Sequence, residues 1–223
     1  MKVCVISDTH NQHRRMEKFP DADTIIHCGD FSNRENQMYD FLGWFSELPY
    51  KNKILIAGNH DYGLEDSIAL EAFKQTSHTL GVNYLHDSGI EIDGVKFWGS
   101  PYSNQFGDWA FMGNDIELQM QNWDYIPEDT QVLITHGPAK GLGDEVYQMS
   151  SHERDPHVGS ASLRMTVERL PELTHHFVGH IHEDQGIHLH PENKFITYNA
   201  CSWDYYTNSL KEPFVFDIKN SDE

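Results

Sequence analysis

The chain opens with Lys2-Val3-Cys4-Val5-Ile6-Ser7-Asp8-Thr9-His10, an apolar run that leads directly into a carboxylate and an imidazole. The apolar part, residues 2–6, has the length and composition of a buried strand. Asp8 and His10 then follow the end of that strand. In open α/β sheets, ligands gather at the carboxyl ends of the strands. The opening stretch therefore predicts a sheet strand with functional groups in the loop behind it.

The same arrangement, an apolar run followed by polar groups, recurs four more times along the chain. The later motifs are Gly29-Asp30, Gly58-Asn59-His60-Asp61, Thr135-His136-Gly137 and Gly179-His180-x-His182. Each motif alone is also ordinary turn chemistry, so only the ordered set is informative. Because each motif follows a strand, we expect these distant groups to converge at one edge of the sheet.

Strands and helices alternate in the first part of the chain. Apolar runs at residues 24–27 and 54–57 predict buried strands, and apolar residues at the helical period predict helices over 36–48 and 64–79. A short polar helix is also expected over 11–19. Such alternation indicates an α/β fold with a mostly parallel sheet and crossover helices.

After Gly81 the pattern changes. The Asp93-Gly94 pair between two apolar runs predicts a β-hairpin over residues 90–97. The remaining predicted elements are strands at 132–135 and 176–178, a helix at 160–170 and short β segments around His188, Ile196 and Val215. No linker, repeat or low-complexity segment interrupts the chain, so we expect a single domain over residues 1–223.

The net charge and the lengths of the apolar runs limit which partners the protein can bind. The chain has 223 residues and a formal net charge of −19, from 35 acidic and 16 basic side chains. This charge argues against polymeric nucleic acid, which binds to clustered Lys and Arg. With no apolar run of about 18 residues, a membrane span is not expected. The apolar start leads directly into the first motif without a signal peptide, which favours a cytoplasmic location. The oligomeric state is not indicated.

The motifs offer two carboxylates, one amide oxygen and four imidazoles, with His60 left over. Oxygen and nitrogen ligands without sulfur favour two divalent cations such as manganese, iron or zinc. Asp30 is the candidate bridging carboxylate, because it lies between the other sets. The hypothesis places Asp8, His10, Asp30 and His182 on one cation and Asp30, Asn59, His136 and His180 on the other.

This ligand set suits phosphate-ester hydrolysis. Two cations about 3.5–4 Å apart can hold a bridging hydroxide as the nucleophile and accept phosphoryl oxygens. His60 is the candidate general acid for the leaving oxygen, and Asp61 is the candidate group that fixes its tautomer. Asp8-x-His10 and the later His-x-His pair would each point two side chains the same way if their backbones were extended.

The set D-x-H, G-D, G-N-H-D, T-H-G and G-H-x-H resembles that of the calcineurin-like metallophosphoesterase superfamily, and it spans residues 8–182. The resemblance implies a four-layer α/β/β/α sandwich, with two mixed sheets flanked by helices and a dinuclear metal site at one edge. Finer features, such as Gly99-Ser100-Pro101 and Tyr198-Asn199-Ala200, resemble the small MPPED-type branch. That branch implies activity on cyclic nucleotides or other phosphodiesters.

Substrate contacts are less strongly indicated. Asp30 is followed by Phe31-Ser32-Asn33-Arg34, whereas protein phosphatases of the superfamily carry V-D-R-G there, so phosphoprotein substrates are not expected. Asn33 and Arg34 are candidate phosphate contacts, although Arg34 fits a surface charge equally well. Asn199 is a candidate substrate contact by resemblance alone.

The aromatic residues Tyr102, Phe106 and Trp109 are compatible with a wall against a nucleobase, although core packing suits each of them better. The leading hypothesis is a metal-dependent phosphodiesterase for small, nucleotide-like esters. The alternatives are a phosphomonoesterase or nuclease of the same superfamily, or a nucleotide-binding regulatory protein with little turnover. A closed structural zinc site is disfavoured, since such sites are usually rich in cysteine.

Overall fold

The part of the chain that the computed structural model describes, residues 1–33, 37–147 and 155–218, contains fifteen strands and four α-helices. The first half comprises β1 (Lys2–Ile6), β2 (Thr24–Cys28), α1 (Met38–Glu47), β3 (Asn52–Ile56), α2 (Ser67–Thr79), β4 (Asn83–Tyr84), β5 (Ser88–Ile92), β6 (Val95–Ser100), β7 (Ser103–Asn104) and β8 (Met112–Gly113). The second half comprises α3 (Asp115–Gln121), β9 (Val132–Thr135), α4 (Ala161–Arg169), β10 (His175–Val178), β11 (Gly186–Leu189), β12 (Ile196–Asn199), β13 (Trp203–Asp204), β14 (Ser209–Leu210) and β15 (Phe214–Asp217).

Two mixed sheets carry most of these strands. The first has the order β15-β1-β2-β3-β4, with β1 to β4 parallel and β15 antiparallel to β1. The second has the order β11-β12-β10-β9-β6-β5. Its four central strands are parallel, and each edge strand is antiparallel to its neighbour. The parallel strands of both sheets place their carboxyl ends at a common edge within each sheet.

Three apolar clusters define the order of the layers. Successive residues of a strand face opposite sides of a sheet. In β2, Ile25 belongs to the cluster that contains Phe41 of α1 and Phe73 of α2, and Ile26 belongs to the cluster between the two sheets. On the far side, Leu133 of β9 packs with the helices α3 and α4. The layers therefore run helices, sheet, sheet, helices, which confirms the predicted four-layer α/β/β/α sandwich.

One local prediction was wrong, and one helix was missed. The helix expected over 11–19 is only a short 3-10 turn, His13–Arg15, because the preceding backbone is hydrogen-bonded across to the loop after β2. Helix α3 was not predicted at all. Its signal was present in the sequence: the Asn114 side chain accepts from the Glu117 backbone, and the Glu117 carboxylate accepts from the Asn114 N–H, forming a capping box.

The described residues contain no helix that combines the length and apolar character needed to cross a bilayer. A single domain over the whole chain stays a prediction.

Candidate metal centre

The five motifs lie in the loops that follow β1, β2, β3, β9 and β10. Backbone hydrogen bonds tie these loops together across both sheets. The Asp8 N–H donates to the Gly29 carbonyl at 2.9 Å, and the Gly179 N–H donates to the His136 carbonyl at 3.0 Å. The His180 N–H donates to both carboxylate oxygens of Asp8, which joins the loop after β10 to the loop after β1. The predicted convergence is therefore present.

One group of ligand atoms forms around Asp8. Its Oδ1 lies 3.3 Å from His182 Nε2 and 3.8 Å from His10 Nε2. His10 Nδ1 lies 2.9 Å from Asn33 Oδ1, and His182 Nδ1 lies 2.7 Å from the Trp203 carbonyl. These acceptors orient both rings so that Nδ1 points away from the centre and Nε2 points into it. The two Nε2 atoms lie 3.2 Å apart.

A second group forms around Asp30. Its Oδ2 lies 3.4 Å from His136 Nε2 and 3.9 Å from His10 Nε2. His136 Nδ1 donates to the Cys28 carbonyl at 2.9 Å, and its Nε2 donates to Asn59 Oδ1 at 2.8 Å. Asp30 thus has His10 on one side and His136 on the other, which is the position required of a bridging carboxylate.

These atoms fit a pair of divalent cations. Three sets of side chains each bring one ligand atom per residue within 4.8 Å of the others: Asp8, His10 and His182; His10, Asp30 and His60; and Asp30, His136 and His180. Asp8 and Asp30 are 0% and 2% exposed, and no Lys or Arg within the described ranges forms an ion pair with either. Buried carboxylates need compensating charge. Imidazole nitrogens that converge beside two such carboxylates are a cation-binding arrangement.

The imidazoles of the centre differ in their protonation without metal. Burial lowers the pKa of His180 to about 4 and also lowers the pKa of His60. Burial alone would lower the pKa of His136 and His182 too, but Asp30 outweighs it and raises the pKa of His136 to about 9, and Asp8 raises the pKa of His182. In turn, the hydrogen bond and charge of His182 hold the pKa of the buried Asp8 well below its usual range. Because neutral imidazoles and ionised carboxylates bind cations, cation binding would release protons from His136 and His182.

The loops reach this geometry through left-handed backbone, not through extended pairs. The φ angles of Asp8, His10, Asp30 and His180 are 51°, 42°, 55° and 70°. Asp8 and His10 converge because the chain turns there, and His180 and His182 enter different ligand groups, so neither pair is the extended pair that was considered. Such conformations are costly for residues with a Cβ and are concentrated at functional sites.

Two motif glycines allow the loops to approach one another. A Cβ on Gly58 would lie 2.5 Å from His136 Cε1 and 2.6 Å from the Asp30 amide nitrogen. A Cβ on Gly179 would overlap the side chains of Ser7 and Asp8. The motif glycines are therefore required by packing against the ligands themselves.

Replacing Gly58 by Ala is expected to lower turnover about 100-fold, because a displacement of roughly 1 Å at a reacting centre can have that effect. The added methyl group must displace Asp30 or His136, so metal content should fall too. Gly43→Ala is a matched control, since a Cβ there meets no atom within 4 Å. Metal analysis and initial rates measure both effects. A Gly58→Ala protein with full metal content and activity would contradict the close approach.

Asp61 does not fix the tautomer of His60, which corrects the prediction from the sequence. Its Oδ2 accepts from the backbone N–H groups of Asp30 and Gly58, at 2.9 and 2.8 Å. Its Oδ1 accepts from the backbone N–H and the hydroxyl of Ser32, at 2.9 and 2.8 Å. The Asp61 carboxylate is fully buried beneath the loops. The turn at 58–61 directs the carboxylate away from the His60 imidazole. Asp61 therefore links the loop after β2 to the loop after β3.

His60 occupies the open side of the centre. Its Nε2 lies 3.9 Å from Asp30 Oδ2, and its side chain is 26% exposed. The imidazole packs on the Trp109 ring, with 4.4 Å between centroids, and its edge contacts His10 at 4.7 Å. Trp109, which contacts Tyr62 in turn, therefore fixes the His60 ring from outside. Nothing in the sequence around Trp109 indicated that contact.

The three candidate substrate contacts have different outcomes. Asn33 contacts His10, and its role toward a substrate stays a prediction. Arg34 lies outside the described residues. Asn199 was wrongly predicted, because it is fully buried and its amide donates to the carbonyls of Gly143 and Ile181 while its Oδ1 accepts from the Cys201 N–H. It positions the loop between the last two histidine ligands instead.

A cavity of about 550 Å³ adjoins His180. Its apolar lining comprises Phe106, Pro138, Val146, Val158 and Ile181. Of the three aromatic residues considered for a nucleobase wall, Phe106 lines this cavity, Trp109 supports His60, and Tyr102 packs against the core clusters. Core packing, the favoured expectation, therefore holds for Tyr102, whereas Phe106 and Trp109 lie beside the centre.

A family model described as calcineurin-like phosphoesterase matches residues 1–184. Similar curated proteins include UPF0046 protein C25E10.12 of Caenorhabditis elegans, 33% identical over 97% of this chain and 80% of that protein. Metallophosphoesterase domain-containing protein 1 of Homo sapiens is 30% identical over 97% of this chain and 70% of that protein.

Solved structures show the same fold. The protein TT1561 of Thermus thermophilus has a TM-score of 0.60 at 14% identity, covering 94% of this chain and 96% of its own. The phosphopantetheinyl hydrolase of Mycobacterium tuberculosis has a TM-score of 0.56 at 12% identity, covering 89% and 88%. With the family match over most of the sequence and the clustered carboxylates and imidazoles, this chain belongs to the calcineurin-like phosphoesterase family.

Proposed function

We propose that this protein is a metal-dependent phosphodiesterase that hydrolyses small, nucleotide-like esters at a pair of divalent cations. One observation carries the proposal: the buried Asp30 lies between the Nε2 atoms of His10 and His136, with no Lys or Arg paired to it in the described chain. The family supports the reaction class, and the preference for a diester rests on the charges around the centre.

The residues that would hold the cations are those whose ligand atoms converge. They are Asp8, His10, Asp30 and His182 for one cation, and Asp30, Asn59, His136 and His180 for the other. Their oxygen and nitrogen donors suit manganese, iron or zinc. When bound, the cations would polarise the phosphoryl oxygens and lower the pKa of a water molecule so that it can attack phosphorus.

His60 is the candidate general acid. Its Nε2 is near Asp30 on the open side of the centre, where a leaving oxygen can reach it. The proton passes from Nε2 to the departing oxygen, and solvent returns a proton to the imidazole afterwards. Burial lowers the pKa of His60, and the negative charge of a bound phosphate opposes that shift. The Trp109 ring holds the imidazole in place during the transfer.

Charge favours a diester over a monoester. A phosphodiester carries one negative charge, whereas a monoester carries nearly two at neutral pH. The cavity beside His180 contains no Lys or Arg among its described lining residues, and Glu183 contributes a carboxylate. The cations would be the main positive charges near the substrate. A site of this kind tolerates one substrate charge better than two.

The test compares bis-p-nitrophenyl phosphate with p-nitrophenyl phosphate. Metal-depleted protein should be inactive, and added manganese should restore hydrolysis of the diester with a kcat/KM at least about tenfold above that of the monoester, a difference of about 1.4 kcal/mol in transition-state free energy. A strong monoester preference would favour the phosphomonoesterase alternative. Nucleotide binding without any turnover would favour a regulatory protein, and either result would overturn the proposal.

A further inference from the structure

A short hairpin holds two tyrosines beside the metal centre. In it, Trp203 of β13 pairs with Leu210 of β14. The Lys211 N–H donates to the Ser202 carbonyl at 2.7 Å, and the Ser202 N–H donates to the Ser7 carbonyl at 2.9 Å. The base of the hairpin is thereby attached to the residue that precedes the first ligand, Asp8.

The tip of the hairpin is also anchored. The Arg15 guanidinium donates to the Asn208 carbonyl at 2.8 Å and lies over the Trp203 ring at 5.0 Å. The Asp204 carboxylate accepts from the backbone N–H groups of Tyr206 and Thr207, which closes the turn. The loop that carries Tyr205 and Tyr206 is thus held in place at both its base and its tip.

Tyr205 extends the centre outward on the His182 side. Its ring centroid lies 4.7 Å from that of His182 and 6.1 Å from that of His10. Tyr205 is nevertheless 61% exposed. A tyrosine that packs on a ligand imidazole and remains open to solvent offers an aromatic surface to a bound molecule.

A second cavity, of about 270 Å³, begins at this surface. The lining residues are Tyr147, His182, Glu183, Asp204, Tyr205, Tyr206 and Lys211. We call it the tyrosine pocket. The larger cavity adjoins His180, and Glu183 lines both. The two cavities therefore lie beside the same short ligand segment, so each can receive one of the two substituents that a phosphodiester carries.

The charges of the tyrosine pocket select among substituents. Glu183 and Asp204 contribute two carboxylates, and hydrogen bonds from the Thr207 and Tyr206 backbone hold the pKa of Asp204 below its usual range. Lys211 contributes one cation, which already donates to the His182 carbonyl at 3.2 Å. This balance disfavours a substituent with a further phosphate and suits an uncharged ring.

We propose that the tyrosine pocket binds a planar, uncharged aromatic substituent of the phosphodiester, such as the base of a nucleoside, by stacking on Tyr205. The other substituent lies in the larger cavity beside His180. This inference rests on the proposed function for its chemistry, but the pocket itself can be tested without turnover.

The kinetic test uses two diesters that release the same chromophore, phenyl p-nitrophenyl phosphate and methyl p-nitrophenyl phosphate. The two esters differ in intrinsic reactivity, but this difference cancels when the ratio of their kcat/KM values is compared between proteins. Tyr205→Ala should lower the phenyl-to-methyl ratio about tenfold, since loss of one base–aromatic stack costs about 1–3 kcal/mol. Tyr205→Phe should keep the ratio, and Tyr125→Ala, an exposed tyrosine outside both cavities, should leave it unchanged.

The second test titrates adenosine, which carries no phosphate, into metal-free protein and follows amide chemical shifts. Saturable shifts near Tyr205 should appear in the wild type and in Tyr205→Phe, and disappear in Tyr205→Ala. Both esters could be hydrolysed while Tyr205→Ala leaves the phenyl-to-methyl ratio or the adenosine-induced shifts unchanged. That result would overturn the inference while the proposed function stands. If neither ester is hydrolysed, the proposed function fails, and the adenosine titration alone decides whether the pocket binds planar rings.

Discussion

Replacing His60 by Gln is expected to slow hydrolysis of diphenyl phosphate by about 10²–10⁴-fold while metal content stays unchanged, because general acid catalysis contributes about that much. Phenolate is a poor leaving group and needs the proton that His60 Nε2 supplies from beside Asp30. p-Nitrophenolate needs it far less, so bis-p-nitrophenyl phosphate should lose much less rate in the same variant. Steady-state kinetics on both esters and metal analysis provide the measurement.

The comparison of two leaving groups separates an acid from a residue that merely shapes the site. An equal loss of rate on both esters would show that His60 acts by position alone. His78→Gln is a suitable control, because His78 is an exposed histidine on α2. Trp109→Leu should reproduce part of the His60→Gln pattern, since the Trp109 ring lies 4.4 Å from the imidazole that it supports.

Replacing Asp30 by Asn should weaken binding of both cations at least about 100-fold and remove hydrolysis accordingly. Loss of an outer partner of a ligand already costs about 10–100-fold in metal affinity or activity, and Asp30 contacts ligands of both groups. Calorimetric titration with manganese measures the two affinities. Asp21→Asn, at an exposed carboxylate, is the control.

The same substitution should leave the metal-free protein folded but less stable. An Asn at position 30 still accepts the His60 backbone N–H that Asp30 Oδ1 accepts at 2.7 Å. However, it removes the negative charge that pairs with His136, a pairing that holds the pKa of Asp30 below its usual range despite burial. The thermal midpoint of the metal-free variant is therefore expected to lie below that of the wild type. One cation retained at full affinity would show that Asp30 is not shared.

Much of the fold could be predicted because its elements have strong periodicity. The strand at 132–135 was placed with its observed bounds, and the predicted helix over 36–48 contains α1 (Met38–Glu47). The ligand motifs could be located because each follows such a strand. Helix α3 was missed because its seven residues are too short for a clear period, and only its capping box marked it.

The parts of the centre that could not be predicted depend on contacts between distant loops. The sequence suggested that Asp61 orients its neighbour His60, but its oxygens accept from the backbone N–H groups of Asp30 and Ser32 and of Gly58 in its own motif. Likewise, the side-chain amide of Asn199 donates to the carbonyls of Gly143 and Ile181 and is not available to a substrate. Tyr205 had no sequence signal, since the hairpin that carries it is positioned by contacts with distant residues such as Arg15, Ser7 and His182.

The ligands are divided between the two sheets, and this division has a consequence for folding. Asp8, Asp30 and Asn59 follow strands of the first sheet, whereas His136, His180 and His182 follow strands of the second. Neither sheet alone supplies a full coordination shell, so uptake of manganese can report the stage of folding at which the two sheets have packed together. A cation present at a hundredfold excess over its dissociation constant adds about 2.7 kcal/mol to the stability of the folded protein. Because the two sheets share one apolar cluster, scarcity of metal would lower the free energy of unfolding of the whole sandwich.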